Sequence, residues 1–251
     1  MNAPSPYTVL LLAGLAVSYF TWTRLSRRDA RLPAVYLGAL LGAFTGAKLV
    51  YLAAEGWMFW RAPDRWFIWA TGKTILGALL GGYAGVELAK KAVGYVAPTG
   101  DLFALVAPIG IVLGRVGCLL HGCCPGLECT ADWWALRDAA GVPRWPAVPV
   151  EIAFNLVALA VFLMLRAEGG KGKVEGIHAR EPSTFDPRPS TLQGQHFHLY
   201  LIAYGAFRFA HEFLRATPRV ALGLTGYQVA ALACVALGAW GFWSRAKTSR
   251  R

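Results

Sequence analysis

The chain has 251 residues, 56% of them hydrophobic and 16% charged, with 25 Lys and Arg against 14 Asp and Glu for a formal net charge of +11. A mean hydropathy of +0.43 excludes an ordinary water-soluble domain and points to a membrane protein, because apolar stretches of about 20 residues, enough to cross a bilayer, recur along the sequence. The charge does not call for nucleic acid: Arg24 to Arg31, Lys90-Lys91, Arg166 to Arg188 and Arg245 to Arg251 sit beside alternate apolar stretches, where the positive-inside rule makes them cytoplasmic and anionic headgroups account for them.

Seven spans satisfy the alternation: Tyr7–Trp22, Pro33–Ala54, Lys73–Ala89, Leu102–Leu120, Val148–Leu165, Phe197–Leu214 and Gly223–Trp243. This predicts an all-α polytopic membrane protein with seven transmembrane helices in a single transmembrane domain, 1–251, with the N-terminus outside and the C-terminus cytoplasmic. External loops fall at about 55–72, 121–147 and 215–222, and a cytoplasmic loop at about 166–196. The first span has Arg24, Arg27, Arg28 and Arg31 after it and no basic residue before it. That is the reverse of a secretory signal, so it is read as a retained helix.

The second and third spans carry glycine at every fourth position, Gly38, Gly42 and Gly46, then Gly77, Gly81 and Gly85, a ridge that lets helix backbones approach closely. The two segments GALLGAFTGAKL and GALLGGYAGVEL look alike but do not make a repeat architecture. Between them, Trp57, Trp60, Trp66 and Trp69 suit an interfacial belt, as do Trp133, Trp134 and Trp145 later. Gly72-Lys73-Thr74 is not a phosphate loop, because Phe67 stands where that motif needs glycine. The one long hydrophilic stretch, rich in Gly, Pro and charge, separates the fifth and sixth spans, and His178 there is read as solvated.

Charges within spans mark candidate sites. They are Lys48, Glu87, Arg115 and, in the sixth span, Arg208, Glu212 and Arg215. With Tyr204 the last set falls at i, i+4, i+8 and i+11, along one helix face that must line a polar cavity or pair with other spans. In one reading Glu212 neutralises an arginine and the cluster pins helices together. In the other, the excess of Arg115, Arg208, Arg215 and Lys48 over Glu151, Glu212 and Glu55 awaits an anion, and a phospholipid headgroup is the anion that a membrane offers to guanidinium.

The fourth span ends in Gly114-Arg-Val-Gly-Cys-Leu-Leu-His-Gly-Cys-Cys-Pro-Gly126, followed by Cys129, while Cys234 lies alone in the last span. Cys123 or Cys124 with Cys129 suits a loop disulfide, and unpaired structural thiols rank beside it. A thiophilic metal comes second, since Cys-x2-His-x-Cys-Cys-x4-Cys matches no common zinc spacing, and a nucleophilic thiol third. No metal ligand and no cofactor is assigned. His121 at the end of this span reads either as a packing or capping residue or as a general acid–base group.

These motifs resemble those of the bacterial prolipoprotein diacylglyceryl transferase family. Gly114-Arg115-Val116-Gly117 is similar to the start of its Gly-Arg-x-Gly-Asn-x-x-x-Gly-Glu signature, Tyr204 to Arg215 resembles its sixth-span motif, and Pro146 to Glu151 resembles its Pro-Ser-x-Leu-Tyr-Glu stretch. Tyr7 falls where the family has a tyrosine and Lys48 where it usually has arginine. Departures are plain: Leu76 replaces the histidine of a His-Gly-Gly-Leu motif, Cys118 the signature's asparagine and Cys123 its glutamate.

The resemblance implies a bacterial inner-membrane enzyme with its site toward the outer leaflet. Its partners would be phosphatidylglycerol, membrane lipid and a preprolipoprotein signal peptide bearing a lipobox cysteine. It further implies Arg115, Arg208 and Tyr204 as catalytic residues; with the family's histidine missing, His121 or Tyr204 is the remaining candidate to take the acceptor thiol's proton, and His121 is counted as catalytic on that ground. Tyr7, Lys48, Gly114, Gly117, Glu151, Glu212 and Arg215 would bind substrate. The competing expectation is a non-catalytic, thiol-redox or metal-binding membrane protein on the same fold.

Overall fold

The computed structural model describes residues 6–130, 133–171, 192, 194–220 and 223–248. Its helices are α1 Pro6–Ser26, α2 Leu32–Ala54, α3 Arg65–Thr71, α4 Ile75–Val93, α5 Gly100–His121, α6 Ala147–Lys171, α7 His196–His211 and α8 Gly226–Thr248. A short antiparallel pair, β1 Leu136–Arg137 with β2 Pro143–Arg144, lies between α5 and α6. α2, α5, residues 147–166 of α6 and residues 226–245 of α8 are long and apolar enough to cross a membrane. α4 carries Glu87, Lys90 and Lys91 near its end, and α7 has 16 residues, prolonged by a 3-10 turn over Glu212–Leu214.

α2 and α4 cross where the glycine ridges meet. A methyl group at Gly42 or Gly46 would run into the carbonyl oxygens of Gly81 and Gly77, and one at Gly81 into that of Gly42. The likeness of the two segments thus reflects two faces of one close crossing. The expected external connection at 55–72 contains α3, whose C-terminal carbonyls are capped by Lys48: Nζ donates to Trp69 at 2.6 Å, to Gly72 at 2.8 Å and to Ala70.

A core of Leu76, Leu79, Ile111, Phe162, Leu201, Tyr204, Ala231 and Cys234 joins α4 through α8. The outward faces stay apolar, with Leu15, Leu41, Phe44, Leu49, Val157 and Met164 exposed, a surface that belongs in hydrocarbon. The hydrophilic stretch containing His178 lies outside the described residues.

At one end of the bundle Asp101 receives His196 Nδ1 at 2.7 Å and the Gly194 N–H, while Glu87 meets Arg245 at 3.2 Å and Lys90 at 3.6 Å. A second polar cluster forms where α5 and α7 finish and α6 starts.

Candidate functional site

The helical spacing of Tyr204, Arg208 and His211 lays them on the buried face of α7, and the 3-10 turn carries Glu212 and Arg215 onward from it. Facing them, α6 brings Glu151 from its first turns, and α5 brings Arg115 from its last two. Three elements distant in sequence therefore converge at one place.

Glu151 is the hub and is fully buried. Its Oε2 lies 2.9 Å from Arg115 Nη2, 3.6 Å from Arg208 Nη1 and 4.0 Å from Arg215 Nη1, while Oε1 accepts the Tyr204 hydroxyl at 2.6 Å. Glu212 accepts from Arg208 Nη2 at 2.8 Å and from the Thr217 hydroxyl at 2.6 Å, and lies 3.7 Å from Arg215 Nε. Among these five side chains three guanidiniums thus face two carboxylates, a surplus of one positive charge.

Arg115 Nε, Arg208 Nε and Nη1, and Arg215 Nε and Nη1 are buried and find no hydrogen-bond partner. Orphaned buried donors are costly and ask for an acceptor. His211 Nδ1 is orphaned in the same way. Its Nε2 lies 3.1 Å from Trp145 Nε1. Indole can only donate, so Nε2 accepts and the neutral ring carries its proton on Nδ1.

Next to the arginines the chain turns sharply twice. Gly122, at φ 68°, ends α5 with the Cys123 N–H bonded to the Cys118 carbonyl at 3.1 Å, a Schellman closure that folds Cys123 back over the last helical turn. Cys124 then takes φ 63°, the one non-glycine residue in the left-handed region among those described. The two turns bring the sulfurs of Cys118, Cys123 and Cys124 within 4.8 Å of one another. The hydrogen bond with Cys118, then the charges of Arg115 and Arg215, holds the Cys124 thiol well below its ordinary range against the opposing effect of burial.

The loop continues onto the end of α7, where the Leu127 N–H bonds the Leu214 carbonyl and Gly126 bridges to Arg215. The expected pairing of Cys123 or Cys124 with Cys129 is not what forms. All five cysteines are free, and the Cys129 N–H is tied to the Pro143 carbonyl of β2, while the two turns send the neighbouring thiols back toward Cys118.

Of the residues expected at the site, Arg115, Tyr204, Arg208, Glu151, Glu212 and Arg215 come together. Gly114 and Gly117 leave open backbone beside Arg115: nothing would meet a methyl group at Gly114, and only Leu10, at 3.6 Å, at Gly117. Lys48 departs from the expectation, since its donors are occupied by the carbonyls at the end of α3. Tyr204 departs from the role of proton acceptor, because its hydroxyl donates to Glu151 in full burial. His121 is exposed and makes none of the cluster's contacts. The side chain of Tyr7 lies outside the described residues.

Sequence reading missed His211 and Trp145. Position 211 lies seven residues beyond Tyr204, on the same helical face, so the spacing contained the first signal. Nothing local marks Trp145, which reaches the site only through the loop.

An apolar cavity of about 360 Å³ lies among α2, α4, α5 and α7. Gly114, the neighbour of Arg115, lines it near the cluster, Leu79 and Phe103 line it further in, and Glu87 and Arg245 close the far end.

A family model described as prolipoprotein diacylglyceryl transferase matches residues 5–244. A phosphatidylglycerol–prolipoprotein diacylglyceryl transferase 2 of Clostridium perfringens is 30% identical over 192 residues, covering 74% of this chain and 67% of the relative. The phosphatidylglycerol–prolipoprotein diacylglyceryl transferase of Pseudoalteromonas atlantica is 31% identical, covering 81% of this chain and 65% of the relative. One from Dehalococcoides mccartyi is 28% identical, covering 92% and 85%. The chain thus spans about two thirds of the length of the first two. No solved structure matches the chain.

Proposed function

Since the chain belongs to the prolipoprotein diacylglyceryl transferase family, we propose that it transfers the diacylglyceryl group of phosphatidylglycerol to the lipobox cysteine thiol of a preprolipoprotein, releasing glycerol 1-phosphate. The observation that carries this reading is the buried cluster of Arg115, Arg208 and Arg215 over Glu151 and Glu212, with five guanidinium nitrogens lacking a hydrogen-bond partner. One surplus positive charge matches the single negative charge of a phosphodiester. The apolar cavity that begins at Gly114 suits an acyl chain.

In the reaction, the acceptor sulfur bonds to the glyceryl carbon that carries the phosphate ester. The carbon–oxygen bond breaks, and its electron pair leaves with the phosphate. The phosphate charge grows from one to two during that step. Fixed guanidiniums aimed at the oxygens stabilise this growth more than they stabilise the bound diester. Glu151 and Glu212 hold the three side chains in place, and Tyr204 holds Glu151. His211, fixed by Trp145 as the Nδ1–H form, adds a neutral donor.

In the membrane the chain would form seven spans with the N-terminus outside, the C-terminus cytoplasmic and the arginine cluster toward the outer leaflet of the bacterial inner membrane. The basic residues at Arg24 to Arg31, Lys90-Lys91 and Arg245 support that orientation.

The test is direct. The purified full chain in vesicles of phosphatidylglycerol, given a lipobox peptide, should raise the peptide's mass by one diacylglyceryl group and release glycerol phosphate. A peptide mass unchanged over many hours would overturn the reading. The cluster of three thiols favours a second reading, a thiol-redox or metal-binding protein on this fold, in which phosphatidylglycerol is not consumed.

A further inference from the structure

An acceptor thiol must become a thiolate to attack carbon, and at neutral pH a free cysteine with a pKa of about 8.5 is mostly protonated. The arginine cluster offers nothing to take that proton. Tyr204 donates to Glu151, Nε2 of His211 accepts from Trp145, and both carboxylates are held by guanidiniums. His121 is exposed and outside the cluster. Leu76 is buried in the apolar core.

Beside this cluster lie three thiols whose arrangement is that of metal ligands. The sulfurs of Cys123 and Cys124 are 3.9 Å apart, and all three, with Cys118, lie within 4.8 Å. Zinc–sulfur bonds of about 2.3 Å at tetrahedral angles place sulfurs about 3.8 Å apart. Two consecutive departures of the backbone create the convergence, the left-handed Gly122 and the left-handed Cys124. For a non-glycine residue that conformation costs free energy and concentrates at functional positions. Among the described residues no fourth His, Cys, Asp or Glu joins the group. A structural zinc site is closed by four protein ligands, whereas a site with three keeps one position for a reacting molecule.

We propose that Cys118, Cys123 and Cys124 bind a soft divalent cation of the zinc type through three thiolates, and that its fourth position receives the thiol to be alkylated. The inference rests on the transferase reading and supplies the step which that reading lacks. The acceptor thiol displaces a water from the metal and, once bound, gives its proton to solvent, because a coordinated thiol is deprotonated. The metal-bound sulfur then forms its bond to the glyceryl carbon while the carbon–oxygen bond breaks and the electron pair leaves on the phosphate. The thioether formed is neutral and a poorer ligand, so water replaces it. No oxidant or reductant is needed. Arg115 stands one turn before Cys118 on α5, and Arg215 pairs through the backbone with Gly126 of the cysteine loop. Their guanidiniums keep the phosphate beside the sulfur.

The full-length protein, purified in lipid nanodiscs without chelator, should hold close to one zinc per chain by elemental mass spectrometry. Cys123→Ser and Cys124→Ser should lose the zinc, whereas Cys129→Ser, whose thiol is outside the group, should keep it. Circular dichroism shows whether the serine variants are folded. If they are not, cobalt(II) in the unaltered protein decides: a thiolate-to-cobalt charge-transfer band should appear and intensify with a lipobox peptide, but not with its Cys→Ser analogue. Retention of neither metal, a disulfide among Cys118, Cys123 and Cys124, or a cobalt band indifferent to the acceptor overturns the proposal. Full transfer activity in the chelated, metal-free protein also overturns it and leaves the transferase reading intact. Metal and acceptor binding with no consumption of phosphatidylglycerol keeps the site and overturns the transferase reading.

Discussion

At the end of the bundle where α7 begins, Asp101 takes His196 and the Gly194 N–H, Glu87 takes Arg245 and Lys90, and His198 sits between Gln195 and Tyr83 at 2.8 and 3.2 Å. Where α7 finishes, Arg115, Arg208 and Arg215 share Glu151 and Glu212. Both ends are built from the same kinds of side chain. They differ in satisfaction: among the described residues, no buried side-chain nitrogen or oxygen at the first lacks a hydrogen-bond partner, while at the second five guanidinium nitrogens, one imidazole nitrogen and one carboxylate oxygen do. A buried ion network that closes on itself is a fastening between helices. One left with surplus charge and unused donors is poised for a ligand. The contrast supports the second end as the proposed reaction site on grounds independent of motif.

Mutations should separate the two ends. The largest effect is expected at Glu151→Ala, which strands three guanidiniums in a buried pocket. It should destabilise the protein by about 3–5 kcal/mol, read as a lower thermal midpoint in detergent, and abolish transfer. Arg208→Ala should leave a folded protein whose transfer to a lipobox peptide falls about 10²- to 10³-fold, as when one fixed donor to a developing anion is removed. Lysine at 208 should not restore the rate, because it lacks the planar fork. If Arg208→Ala transfers at the normal rate, the orphaned nitrogens are not the lipid site.

At the opposite end Asp101→Asn should cost about 1–3 kcal/mol of stability through its hydrogen bonds to His196 and Gly194, with the side chain's partial exposure favouring the lower figure. Transfer should be unchanged, and a large loss of rate would erase the contrast between the ends.

The smallest effect is expected in the loop before α6. Asp138 is held below the ordinary carboxylate range chiefly by Arg144, then by the Val142 and Ala140 N–H groups. A depressed folded-state value means that its stabilising contribution is present above the unfolded value of 3.8 and is lost as pH falls through the folded one. Limited proteolysis should therefore show the loop loosening only in that acid range, and Asp138→Asn should remove the dependence.

Several features were legible in the sequence because they depend on local periodicity. Apolar run lengths gave the long helices, glycine at every fourth residue gave close packing of α2 and α4, and the spacing of Tyr204, Arg208 and Glu212 gave the polar face that runs from α7 into the 3-10 turn. Arg115 and Arg208 could be suspected of sharing an anion because charge inside an apolar span demands a reason. Lys48 was misleading for the same cause. It too is a charge in a span, but its reason is the end of a short helix that hydropathy does not reveal.

The alternation of charge and hydrophobicity determined by itself that this chain is a helical membrane protein with cationic residues buried in it, since each such position must be explained at the level of a single segment. Only the tertiary structure decided which charges meet and which are spent. Pairing Glu151 with Arg115 and Arg208, tying His211 to Trp145 and folding Cys123 and Cys124 back onto Cys118 depend on helix crossings and on two left-handed residues. The contacts of a site are set by three-dimensional convergence, and spacing along one segment carries no information about it.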